Sequence, residues 1–284
     1  MAGLDIFLVV VAGVFGLLIG SFLNVVAYRV PAQISLMRES RCPHCDARIK
    51  PWHNVPVFGW LALRGACANC GARISARYPI VEAITAIAFA GVTWWGLSVY
   101  SESVSSRFAR STSEGAWALG IVIVAYLYFA AISIVLTLID LDTHRLPNVI
   151  VLPSYLVAGI LFTIAATLTG EWASLLRAGI GMAALYLFYW VLRLARPSGM
   201  GGGDVKLAGV IGVYLGWIGW GALAVGAFAA FLFGGVYGIA LMLARRAGRK
   251  TAIPFGPWMI LGAWAGIFTG EPIGRCYTQL FIGV

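Results

Sequence analysis

The sequence predicts an all-α polytopic membrane protein of about eight transmembrane helices, with a small cytoplasmic four-cysteine loop after the first. Composition carries the first part of that reading. Apolar residues make up 61% of the chain and charged residues only 11%, whereas a soluble domain carries about a quarter charged residues. The mean hydropathy of +0.89 agrees. The apolar runs are too long and too unalternating for barrel strands. A helix satisfies its own backbone in lipid, so the membrane part is helical.

The first apolar run, Ile6 to Ala27, follows Asp5 rather than a basic residue. It is too long for a signal-peptide core and lacks a small-residue cleavage site, so it reads as a retained helix. The spans lie near 6–27, 80–99, 116–139, 149–169, 174–194, 205–219, 222–243 and 253–270. Val205 to Leu243 is nearly continuous and longer than a bilayer requires. It is divided at the glycine-rich turn Gly216-Trp217-Ile218-Gly219-Trp220-Gly221. The resulting organisation is a first helix over 1–29, a cytoplasmic loop over 30–79 and a seven-helix membrane domain over 80–284. Ser101 to Ser113 reads as a flexible outer loop. No convincing internal repeat stands out.

The net charge of +9 belongs to topology and does not point to nucleic acid. With the N-terminus outside, the inner segments are 28–79, 140–148, 195–204 and 244–252. With Arg193 and Lys206 at adjoining helix ends, they hold all of the 20 basic residues except Arg107, Arg110, Arg177 and Arg275. Basic residues concentrate in cytoplasmic loops. Dividing Val205 to Leu243 keeps the basic stretch Arg245 to Lys250 inside.

Four of the five cysteines form Cys42-Pro43-His44-Cys45 and Cys67-Ala68-Asn69-Cys70. Two CxxC knuckles in one short loop match a structural zinc ribbon. The loop cannot bury much core, and a metal supplies the missing folding energy. Cytoplasmic thiols stay reduced, which disfavours disulfides. Four thiolates leave no open coordination position, so the zinc is structural. The competing readings are a redox pair, or His44 or His53 replacing one cysteine. Cys276 is an unpaired bystander.

Among the 11 acidic residues, Glu82, Asp140, Asp142 and Asp204 stand at or inside helix ends. Ionisable groups at membrane depth mark function. Asp140 and Asp142 lie in Leu138-Ile139-Asp140-Leu141-Asp142-Thr143-His144-Arg145-Leu146-Pro147-Asn148, and Asp204 in Gly199-Met200-Gly201-Gly202-Gly203-Asp204-Val205-Lys206. Two carboxyls brought within a few ångströms do not readily both ionise. One then serves as acid while the other takes a proton from water, which hydrolyses a peptide without a covalent intermediate. Gly201 and Gly203 let substrate backbone or a neighbouring helix approach closely beside Asp204; with Asp142, next to Asp140, and Lys206, next to Asp204, they are read as support for the active site. The plainer reading is that Asp204 caps a helix and that Asp140 or Asp142 caps or pairs with Arg145.

The chain resembles the type IV prepilin peptidases, a family of GxGD aspartyl proteases. The resemblance begins with Gly20-Ser21-Phe22-Leu23-Asn24-Val25-Val26-Ala27-Tyr28-Arg29-Val30-Pro31 and includes the cysteine knuckles. It continues through Asn54-Val55-Pro56 and Ile74-Ser75-Ala76-Arg77-Tyr78-Pro79-Ile80-Val81-Glu82, then both aspartate motifs and Pro254-Phe255-Gly256-Pro257. In that family the first catalytic aspartate precedes the proline of its motif by seven residues, which implies Asp140 rather than Asp142. The second is implied at Asp204. The resemblance implies prepilin or pseudopilin substrates, cleaved after a short basic leader at the cytoplasmic face. It also implies N-methylation from S-adenosylmethionine, for which the sequence shows no donor loop. Gly59 and Asn148 depart from the family's usual Ser and Asp. The alternative function is a non-proteolytic scaffold or transporter that docks a cytoplasmic partner through its zinc ribbon.

Overall fold

The structure is a computed structural model that describes residues 2–100, 113–196, 200–244 and 254–281. The basic stretch 245–250 and the Ser-rich stretch, apart from Ser113, lie outside the described residues.

Helix α1 spans Ala2–Arg29, and a short α2 spans Phe58–Ala62 within the loop that follows. Then come α3 (Arg77–Trp95), α4 (Ser113–Thr143), α5 (Asn148–Thr169) and α6 (Trp172–Ala195). The last are α7 (Gly202–Ile218), α8 (Trp220–Leu243) and α9 (Gly256–Phe281). No strand occurs among the described residues. Six of these helices (α1, α3, α4, α5, α6 and α8) are long and apolar enough to cross a membrane, against the eight spans expected. The other two differ for separate reasons. Helix α7 has only 17 residues. Helix α9 runs on through Glu271, Pro272 and Arg275, past the expected end at 270. The chain is a multi-pass membrane protein.

Two compact units make up the chain. The first comprises Met1–Tyr100 and Tyr126–Val135. Its helices α1 and α3 meet along a glycine seam. A Cβ on Gly16 would come within 2.8 Å of the Ala86 Cα, and one on Gly20 within 2.7 Å of the Glu82 Cα. In lipid, helices associate by close packing rather than by hydrophobic burial, and small residues permit it.

Arg29 of α1 and Glu82 of α3 anchor the loop between the two helices, and Asn24 ties α1 directly to α3. The buried Arg29 guanidinium donates to the carbonyls of Ser35, Leu36 and Arg38. Asn24 donates to the Tyr78 carbonyl at 3.2 Å. Glu82 Oε2 accepts the Val57 N–H at 2.7 Å. Val57 has φ +61°, and Phe58 N–H donates to Pro56 O across it at 2.6 Å. This is a γ-turn of the positive-φ form, which is rare and strained, most of all for a β-branched residue. Such strain persists only where the surroundings over-determine it. The Glu82 carboxylate on one side and the Gly59 N–H to Val55 O bond on the other do so here.

The second unit comprises Ser101–Ala125 and Leu136–Val284. Helix α7 is its core, enclosed by α5, α6, α8 and α9 and buried from Leu207 to Ile218. It meets α6 where Gly212 and Gly216 face Gly181 and Ala178. Helices α8 and α9 close on each other through Gly226, Gly262 and Gly266.

The expected division of the long apolar run falls at Gly219, whose backbone is extended. A break buried in protein leaves helix-end carbonyls and amides to be satisfied. Arg177 of α6 donates to the carbonyls of Gly216 (2.7 Å) and Trp217 (2.8 Å), and also to that of Ile218. Glu271 of α9 accepts the N–H groups of Gly221 (3.0 Å) and Ala222 (3.3 Å). A cation thus meets the C-terminus of α7 and an anion the N-terminus of α8, each against the favourable end of the helix dipole. Arg177 was one of the four basic residues outside the expected inner segments, and this capping is its physical reason.

Arg177→Met should lower the unfolding midpoint of the protein in detergent by the cost of buried carbonyls without partners, about 1–3 kcal/mol for each. Thermal denaturation measures this. An unchanged midpoint would show that those carbonyls have another partner.

Candidate functional site

Helix α4 ends at Thr143, and His144 follows at φ +52° with its N–H on the Asp140 carbonyl at 2.9 Å. Asp140, in the last turn, is only 4% exposed, while Asp142 is exposed. The next helix cannot start before Pro147, which sits extended as its N-cap. Asp204 is half-buried in the first turn of α7.

Each carboxylate is held by one main-chain amide at a helix start. Asp204 Oδ2 accepts the Gly201 N–H at 3.0 Å, Gly201 being the N-cap of α7. Asp140 Oδ2 accepts the Gly256 N–H at 3.1 Å, Gly256 being the first residue of α9. Helix N-termini favour negative charge, so both positions suit a carboxylate. Leu146 joins the three segments. A Cβ on Gly203 would stand 2.8 Å from the Leu146 Cβ, and one on Gly256 3.6 Å from its Cδ1. Two sequence-distant carboxyls therefore share one glycine-lined place in the second unit.

Lys206 is turned towards α5, where its Nζ donates to Asn148 Oδ1 at 2.9 Å and its carbonyl accepts the Tyr155 hydroxyl. Three neighbours of the pair carried no role in the sequence. They are Gly256 as the donor to Asp140, Leu146 as the wedge, and Arg193, whose guanidinium lies where a Cβ on Gly202 would go. The sequence signal for Gly256 is the Pro254-Phe255-Gly256-Pro257 phrase, and Leu146 stands within the Asp140 motif.

The four cysteines of the first unit converge. The sulfur atoms of Cys42, Cys45, Cys67 and Cys70 all lie within 4.8 Å of one another, and neither His44 nor His53 belongs to the group. The two knuckles are built alike. Cys42 N–H bonds Ala47 O as Cys67 N–H bonds Ala72 O, and Asp46 N–H bonds Cys42 O as Gly71 N–H bonds Cys67 O. Asp46 and Gly71 turn the chain at φ +53° and +69°. The N–H groups of Cys70 and Asn69 hold the Cys67 thiol down to about 6. Ala72 N–H pulls Cys70 the same way, yet the surrounding sulfurs, Cys45 first, push it up to about 11. Such crowded thiols are the donor set that a soft divalent cation relieves, and the group can hold a metal ion. Cys276 is exposed on α9.

Comparison with known proteins finds two family matches. Residues 14–95 match the Bacterial Peptidase A24 N-terminal domain, and residues 127–239 match the Type IV leader peptidase family. Curated relatives named prepilin leader peptidase/N-methyltransferase align nearly end to end. The protein of Stutzerimonas stutzeri is 33% identical, with 95% of this chain and 94% of that one covered. The protein of Aeromonas hydrophila is 32% identical, with 94% and 93% covered. The protein of Neisseria gonorrhoeae is 34% identical, with 93% and 91% covered. No solved structure matches.

Elemental analysis of the purified chain should find one metal equivalent, lost when Cys42, Cys45, Cys67 and Cys70 are replaced together by serine. A metal content near zero with all four thiols reactive would remove the metal from this account.

Proposed function

The chain belongs to the type IV leader peptidase family, and we propose on that footing that it removes the leader of prepilin or pseudopilin substrates at the cytoplasmic face. The pairing of Asp140 and Asp204 at two glycine-started helix ends carries this reading. In the proposed mechanism one carboxyl is protonated and the other ionised, because neighbouring carboxyls resist double ionisation. The ionised one takes a proton from a water as it attacks the scissile carbonyl. The protonated one gives its proton to the carbonyl oxygen. Collapse of the tetrahedral species breaks the C–N bond as the amine gains a proton. The amides of Gly201 and Gly256 each engage one carboxylate oxygen, so Oδ1 is the atom left to meet water and substrate. Gly203 keeps the approach open. Asp142 and Lys206 are proposed as support around the pair.

The remaining assignments belong to the same proposal. The protein lies in the inner membrane of a bacterium with its N-terminus outside. Residues 30–79 form the zinc-binding loop and 80–284 the peptidase domain. Zinc held by Cys42, Cys45, Cys67 and Cys70 would be structural, tying the two knuckles together. The relatives' second activity, N-methylation of the new terminus, is proposed for this chain with S-adenosylmethionine as donor. The described residues single out no donor pocket, and no step of that chemistry is assigned to a residue.

Asp140→Asn or Asp204→Asn should abolish cleavage of a candidate prepilin while membrane insertion and metal content stay unchanged. Asp142→Asn should keep substantial activity. Activity in Asp140→Asn with none in Asp142→Asn would move the first aspartate by two residues.

Gly256→Ala tests the main-chain support. Its Cβ would arrive 2.8 Å from Asp140 Oδ2, and a carboxylate moves aside more readily than a packed helix. Displacing a reacting group by about 1 Å costs on the order of a hundredfold in rate. The drop should therefore appear in kcat, with the thermal midpoint little changed. A normal kcat would show that the Gly256 amide does not position Asp140.

A further inference from the structure

The loop between α1 and α3 exposes an apolar stripe that the cysteine site does not use. Trp52, Val55, Phe58 and Leu61 are 64%, 46%, 65% and 56% exposed. They recur every third residue. The first sits in the 3₁₀ turn Pro51–Asn54, which Val55 ends, and the last two sit in α2. Helical spacing puts Phe58 and Leu61 on one face of α2, and the exposure of Trp52 and Val55 continues the row on the other side of the Val57 γ-turn. Pro56 and Gly59, between them, are buried. Trp60 is half-buried, its indole N–H on Ile74 O at 3.1 Å. The segment therefore turns Pro56 and Gly59 towards the loop interior and these four apolar side chains outward. Single exposed apolar residues are ordinary, but a contiguous row marks an interaction surface.

Two further observations say what covers it. The first is depth. Val57, in the middle of the row, gives its N–H to Glu82, five residues beyond the start of α3 at Arg77. At 1.5 Å per residue that is about 7 Å along a membrane helix. The polar headgroup layer is of that order of thickness, since it makes up the difference between the roughly 30 Å hydrocarbon core and the roughly 40–45 Å bilayer. The second is charge. Lys50 lies over the Trp52 ring at 5.4 Å, and Arg64 follows α2 on the exposed side. The loop's two acidic residues, Glu39 and Asp46, are engaged by Arg41 and Arg48. The row is thus flanked by cations that those carboxylates do not neutralise. Trp, Phe and Leu on one face beside Lys and Arg is the composition of a segment lying in the bilayer interface.

We propose that Trp52, Val55, Phe58 and Leu61 lie in the interface of the same bilayer that holds α1 and α3, against acidic lipid headgroups reached by Lys50 and Arg64. The Glu82 bond to the strained Val57 turn holds the row at that depth. The surface is independent of the aspartate pair and of the metal.

The test uses the full chain in nanodiscs of phosphatidylglycerol and phosphatidylethanolamine, with the photo-crosslinker p-benzoylphenylalanine in place of Phe58 or Leu61. The same crosslinker at Asn54, which is exposed but off the row, is the control. Retained metal content confirms that each labelled loop is folded. Lipid adducts at 58 and 61 should exceed those at 54 about tenfold, as an apolar face sunk into acyl chains requires. Replacing phosphatidylglycerol by phosphatidylcholine should reduce them. Equal adducts at all three positions overturn the proposal. So do adducts in native membranes that go to another protein in place of lipid, which would make the row a protein-docking surface. Indifference to headgroup charge overturns the part assigned to Lys50 and Arg64.

Discussion

A backbone amide or carbonyl that leaves a helix inside lipid has only protein to pair with, and the second unit is organised by that requirement. Helix ends open at three places within it. At Gly219 the open groups meet Arg177 on one side and Glu271 on the other. At Gly201 and Gly256 the open amides meet Asp204 and Asp140. A carboxylate on a helix-start amide is thus used three times, once to mend a break and twice to build a site. The uses differ in extent. Glu271 spends one oxygen on two amides, while each aspartate engages a single one.

Glycine makes the arrangement possible by absence. Gly203 leaves the space that Leu146 fills, Gly256 the space that the Asp140 carboxylate fills, and Gly16 and Gly20 the space in which α3 comes against α1. Packing without side chains substitutes for the hydrophobic effect, which has no hold between helices already surrounded by hydrocarbon. The polar anchors of the first unit complete the same logic. Arg29 and Glu82 bond main-chain groups of the loop, so its attachment rests on the loop's own backbone.

Much of this was legible in the sequence because it is written locally. Apolar runs of bilayer length give the helices. Paired CxxC knuckles give the sulfur cluster. The glycine-rich turn at 216–221 gives the break later found at Gly219. What was not legible is pairwise and distant. Arg177 read as a stray outer charge, because nothing near it in sequence shows the carbonyls it caps about forty residues on. Glu82 stood out as an acid at a helix end, yet the Val57 amide it holds depends on a strained turn that no propensity favours. The Gly256 amide lies 116 residues from Asp140, and only the fold brings it there. The span count erred where composition and length part company. Helix α7 is apolar but short, and α9 is long but interrupted by charge.

The enclosure of α7 bears on how the protein meets different membranes. A helix facing lipid must match its apolar length to the bilayer, and adapts by tilting or by thinning its surroundings. Helix α7 faces protein along nearly its whole length, so hydrophobic mismatch does not act on it directly. Its 17 residues span about 25 Å from Gly202 to the break at Gly219, a length set by the glycine contacts with α6 and the caps at either end. Changes in lipid composition or growth temperature that thicken or thin the bilayer act first on the lipid-facing helices, while the level of Asp204 along α7 is set within the protein.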